Sequence, residues 1–83
     1  NIDQPPSLQI AGSIDYSDEH LAAFYELGKM YYELGYFAPA ERIFVGLCAI
    51  DKGSTPAKVG LALIKLETGM IDDAIAYFRE GLE

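Results

Sequence analysis

Phe24-Tyr25-Glu26-Leu27-Gly28-Lys29-Met30-Tyr31, followed by Ala40-Glu41-Arg42-Ile43-Phe44, decides how this chain folds. Phe24, Leu27, Gly28 and Tyr31 recur at steps of three and four, which is one face of a helix. Gly28 and Ala40 lack bulk, so two helix backbones can cross closely there. Phe24, Leu27, Tyr31 and Phe44 are the large side chains expected to fill the space around that crossing. Gly35 lies between the two segments and can end a helix in a left-handed conformation. Together these residues predict a tight antiparallel helical hairpin.

The rest of the chain repeats it. Shifting the sequence by 34 residues lays Gly35 on Gly69, Ala40 on Ala74 and Phe44 on Phe78; Leu27 falls on Leu61 and Phe37 on Ile71. The second unit reads Lys58-x-x-Leu61-Ala62-x-x-Lys65, then Ala74-x-x-x-Phe78. Lys58 and Lys65 stand where the first unit has aromatic residues. The expected fold is all-α, two such hairpins with an extended N-terminal arm. The arm spans 1–16 and the helical domain 17–83, divided into hairpins 17–53 and 54–83. The four helices are expected at Asp18–Leu34, Ala38–Asp51, Thr55 to just before Gly69, and Ile71–Leu82. Ser17 is the expected N-cap of the first, and Thr55 that of the third ahead of Pro56.

The arm has its own pattern. Leu8, Ile10, Ile14 and Tyr16 are apolar at alternate positions, with Gln9, Ser13 and Asp15 between them. Period two describes an extended chain with one apolar face. The expectation is that this segment docks along the helical module.

Composition narrows the function. The chain has 83 residues, 51% of them hydrophobic, enough for one small core. Thirteen acids against six bases leave a net charge of −7, and the bases are scattered from Lys29 to Arg79. Phosphate backbones call for clustered Lys and Arg, so neither nucleic acid nor an anionic membrane is expected as a partner. The longest apolar run, Val59–Ile64, is far short of a membrane span. No basic segment followed by an apolar run marks a signal peptide. Cys48 is the only cysteine, which rules out an internal disulfide and fits a reducing compartment.

Residues able to carry chemistry are isolated. His20 has no second histidine, nearby cysteine or nucleophile beside it. Cys48 lies among Phe44, Leu47 and Ala49, with no base to activate it. Asp72-Asp73 opens a helix, where carboxylates favour the positive end of the dipole. No phosphate loop, zinc spacing or nucleophile elbow is present. No catalytic residue, no metal site and no cofactor are expected, and the chain reads as a non-enzyme.

The first unit, Phe24-x-x-Leu27-Gly28-x-x-Tyr31…Ala40-x-x-x-Phe44, resembles the tetratricopeptide repeat (TPR) pattern W-x-x-L-G-x-x-Y…A-x-x-x-F, with Phe24 for the tryptophan. Leu47-Cys48-Ala49-Ile50-Asp51, Gly60-Leu61-Ala62 and Gly69-Met70-Ile71-Asp72-Asp73-Ala74-Ile75 look like the tetratricopeptide chaperones of bacterial type III secretion, the SycD/LcrH type. The resemblance implies a protein-binding helical repeat, cytoplasmic, in a virulence system of bacteria. Its client would be a hydrophobic segment of a translocator or needle-type protein held in an apolar groove. It also implies that the first helix of each hairpin lines that groove, which points to Tyr25, Lys29 and Tyr32, and to Val59, Leu63 and Leu66 opposite them. A homodimer or heterodimer fits the same picture. The alternative is a structural tetratricopeptide scaffold or a co-chaperone module within a larger protein. A clamp for an acidic C-terminus needs Lys, Arg and Asn on the concave helices. Here that face offers Tyr25, Tyr32, Val59 and Leu63, with Lys29 the one base.

Overall fold

The computed structural model describes residues 17–82, so the expected docking of residues 1–16 lies outside the described part. Among the described residues all regular structure is helical: α1 (Asp18–Glu33), α2 (Phe37–Ile50), α3 (Thr55–Glu67) and α4 (Ile71–Leu82). The fold is all-α, as expected, with helix bounds within two residues of those read from the sequence.

The helix ends follow from local chemistry. Ser17 caps α1, its hydroxyl accepting from the His20 amide at 3.2 Å. After α1 the Gly35 amide donates to Tyr32 O and the Tyr36 amide to Tyr31 O; after α3 the Gly69 amide donates to Leu66 O and the Met70 amide to Lys65 O. Both turns are Schellman motifs, and both need a left-handed residue. Gly35 and Gly69 supply it, with φ of 84° and 80°. Tyr31 and Tyr36 then bring their rings together at 6.3 Å, closing the first turn with an apolar contact.

One cap differs from expectation. Ser54, not Thr55, caps α3: its hydroxyl accepts from the Ala57 amide at 3.3 Å. The Thr55 hydroxyl instead donates to Gly81 O at 2.9 Å, tying the start of α3 to the end of α4. A threonine with a carbonyl in reach across the hairpin is better placed there than competing for its own helix end.

The core is assembled around one ring. Phe44, 1% exposed, lies between α1 and α3. A Cβ built on Gly28 would sit 2.9 Å from its Cε1, and one on Gly60 would sit 2.7 Å from its Cε2. Two glycines from two helices thus grip opposite edges of the ring. Ala40 and Leu47 of α2 pack with Ala57, Leu61 and Ile64 of α3 to complete the buried cluster. The joint between the hairpins is therefore α2 on α3, with α1 touching α3 more sparsely.

This corrects the expected facing of α1. Gly28 meets α2 as predicted, but Leu27 is 38% exposed and does not fill the crossing. Tyr25 packs on Phe44 at 5.9 Å and Tyr32 on Phe37 at 5.7 Å. The cause is that α2 and α3 lie on the same side of α1. The inward face is then centred on Tyr25, Gly28 and Tyr32, spaced three and four apart. Tyr31 still packs against the core and Phe24 borders α2 beside Ile43 and Leu47, so of the expected set it is Leu27 that turns out.

The two lysines that replace aromatics are accommodated differently. Lys58 lays its Cβ 3.2 Å from where Gly81 would carry one. Lys65 reaches across to α2 and pairs with Glu41 at 3.1 Å. That hydrogen bond holds the Lys65 ammonium above the usual lysine pKa. The Tyr32 phenol is also pushed up, first by partial burial and then by the Glu67 carboxylate, to which it donates at 3.4 Å. Both groups prefer their protonated forms in the fold. Their contribution is complete below the ordinary lysine and tyrosine range and is lost as pH rises through the raised values. We expect the urea midpoint to fall above about pH 10, and to fall less in Lys65→Met/Tyr32→Phe. The partly exposed ion pair accounts for about 0.2–1 kcal/mol of this. Equal alkaline slopes for the two proteins would rule the pairings out as the cause.

Candidate functional site

Where the hairpins meet at one end, the start of α1, the end of α2 and the turn into α3 leave a cleft of about 420 Å³. Leu21, Ala22 and Tyr25 form one wall, Leu47 the floor, and Asp51 with Gly53–Pro56 the other side. The helical steps from Leu21 to Ala22 and Tyr25 put all three on one flank of α1. Leu47 is only 4% exposed, so the bottom of the cleft is core.

The polar groups around it already have partners. Asp51 accepts the Gly53 amide at 3.2 Å, Ser54 caps α3, and Thr55 bonds to Gly81 O. What the cleft offers a ligand is shape and apolar surface. A second, smaller cleft of about 240 Å³ lies between α1 and α2, lined by Phe24, Arg42, Ile43, Gly46, Leu47 and Ile50.

The six residues expected to line a groove are spread along α1 and α3. Tyr25 lines the larger cleft near Thr55 and Pro56. Tyr32 sits at the other end of the α1–α3 seam, bonded to Glu67. Lys29 lies between them along α1 and is exposed. Leu66 is 41% exposed at the end of α3, and Leu63 is half-buried. Val59 is half-buried, its Cγ2 3.7 Å from a Cβ position on Gly81 of α4. Of the repeat-motif positions, Gly28, Ala40, Phe44, Leu61, Ala62 and Ala74 are buried, Tyr31 and Phe78 half-buried, and Phe24 and Leu27 exposed at the edge.

Sequence reasoning missed the cleft's far wall. Asp51-Lys52-Gly53-Ser54 reads as a plain connection. Its one signal was an aspartate two residues before a glycine, which folds back on the backbone and brings Pro56 under α1.

The titratable groups add little chemistry. The Cys48 thiol is half-buried, and burial is the main cause that pushes its pKa up, away from the thiolate needed for nucleophilic attack. Among the described residues no three His, Cys, Asp or Glu side chains gather to hold a metal ion. No described helix is long and apolar enough to cross a membrane.

Compared with known proteins, the chain matches no family model, no curated protein and no solved structure.

Proposed function

We propose that this chain is a protein-binding module of tetratricopeptide type, and that its role is that of a cytoplasmic chaperone for a hydrophobic segment of a type III secretion client. The observation that carries the binding reading is the cleft floored by Leu47 and walled by Leu21, Ala22 and Tyr25, whose polar rim is committed to holding its own turn. A site of that kind takes up an apolar side chain or a helix face; it has no free group aimed at a reacting centre. The repeat at 34 residues in both turns supports the tetratricopeptide reading, and the motifs from Leu47 to Asp51 and from Gly69 to Ile75 support the secretion reading. Binding acts by mass action: an occupied apolar segment is withdrawn from aggregation.

Ala22 gives the test. It is exposed and lines the cleft, so a charge there blocks the site and leaves the core alone. Ala22→Glu should keep the thermal midpoint, as surface changes typically stay within about 0.5 kcal/mol. It should lose the polypeptide that wild type retains from a lysate of the source cell, identified by mass spectrometry. Tyr25→Ala should weaken the same binding by about 2 kcal/mol, with some loss of stability from its contact with Phe44. Retention of the same polypeptide by Ala22→Glu at wild-type strength would place binding elsewhere.

A further inference from the structure

The repeat gives equivalent positions two different environments. On α3, Ala57, Leu61 and Ile64 are 0%, 1% and 1% exposed, packed in one cluster with Ala40, Phe44 and Leu47 of α2. Their equivalents on α1 are Ala23, Leu27 and Met30, all exposed, the last two at 38% and 48%. So α1 carries the face with which α3 receives α2.

The other end carries the complement. α4 is the equivalent of α2. Where α2 turns Glu41 and Phe44 to α3, α4 has Ile75 and Phe78, which together with Arg79 and Leu82 line a shallow cleft of about 360 Å³. Ile75 is 47% exposed and Leu82 74%.

Differences between the internal joint and the two open faces are paired. The internal joint matches Lys65 with Glu41. At the equivalent positions stand Tyr31, half-buried with its ring against Tyr36, and the exposed Ile75, two largely apolar residues in place of an ion pair. The internal joint sets Gly60 against Phe44. At the equivalent positions α1 has Glu26, and the cleft that holds Phe78 also holds Arg79, a cation for that carboxylate. The first change exchanges an ion pair for an apolar pair. The second fills with Glu26 the space that Gly60 leaves for Phe44, so Phe78 cannot seat as deeply and the contact there is made by charge instead.

We propose that α4 of one copy docks on α1 of a second copy, on the surfaces equivalent to those by which α2 meets α3 but in a shallower contact, so that the chain associates head to tail. The inference is independent of the client-binding reading and uses a different surface from the Leu21–Tyr25 cleft. A contact of this kind joins unlike faces, so it extends into a ring or a filament instead of stopping at a two-fold dimer.

Light scattering and sedimentation of the full chain at rising concentration test it. The mass of wild type should climb past that of a dimer. Leu27→Glu/Met30→Glu blocks one end and Ile75→Glu/Leu82→Glu the other. All four side chains are exposed, and circular dichroism checks that the helix content is kept; Gln at the same positions provides a milder set. Each blocked protein alone should stay monomeric. An equimolar mixture should form a one-to-one dimer and nothing larger, because each partner retains one intact end. A wild type that stays monomeric at every concentration overturns the proposal. So does either blocked protein dimerising alone, which means like faces pair, or a mixture that stays monomeric.

Discussion

Phe44→Ala should bring the protein to the edge of unfolding. Removing a buried phenylalanine costs about 3–5 kcal/mol, the lost transfer energy plus the cavity left behind. A domain of this size has only about 4–12 kcal/mol in total, on the usual range per residue. The cost should fall at the upper end. The ring touches three helices at once: it lies on its own helix α2, against Tyr25 of α1, and between the backbones at Gly28 and Gly60. Glycines have no side chains to fall into the space, so closing it requires α1 or α3 to move as a body. Urea denaturation followed by circular dichroism measures the loss. A midpoint lowered by less than about 1 kcal/mol equivalent, well under the large-to-small range, would show that the ring is not what holds the hairpins together.

Gly60→Ala should destabilise the protein, although alanine is the better helix former. In a helix interior the change alone is favourable by about 0.5–1 kcal/mol. At Gly60 the new Cβ meets the Phe44 ring at 2.7–2.9 Å, and the ring cannot retreat, because Gly28 closes its other edge. Overpacking of this kind costs about 1–3 kcal/mol. Gly46, in α2 where Gly60 is in α3, is the control: nothing lies within 4 Å of a Cβ there. Gly46→Ala should therefore gain what Gly60→Ala forfeits, and the two melting temperatures should move in opposite directions, by about 4–8 °C per kcal/mol. In a Phe44→Ala background the penalty at Gly60 should vanish, a coupling that only direct contact produces. Parallel shifts at Gly46 and Gly60 would contradict the grip on the ring.

Turn and helix positions were legible because their causes are local. Gly35 and Gly69 mark both Schellman turns, and Ser17 marks the first helix start, all within a few residues of the feature they explain. The exchange of roles between Ser54 and Thr55 was not legible, because Gly81 O, which draws the threonine away, is 26 residues distant. The facing of α1 was legible only in part, for a related reason. Both Phe24-Leu27-Tyr31 and Tyr25-Gly28-Tyr32 are apolar stripes at helical spacing, and only the position of α3 decides which turns inward. Gly60 was visible as a residue of a family motif but not as the second half of a grip on Phe44, since its partner is on another helix. The expected groove rests on the same helical steps. Val59 was placed by helical step from Leu63 and Leu66, and its nearness to Gly81 of α4 could not be read from that step.

The gripped ring also imposes an order in time. A chain is made from its N-terminus at about 5–20 residues per second. Once Ile50 has emerged, α1 and α2 can cross at Gly28 and cover one edge of Phe44. The other edge stays wet until Gly60 follows, a delay of seconds or less at that rate. During that interval the nascent hairpin presents half a phenylalanine, ringed by Ala40 and Leu47, to whatever surrounds it. Arrival of α3 removes that surface with a residue that has no side chain of its own, so the last step of burial is made by backbone.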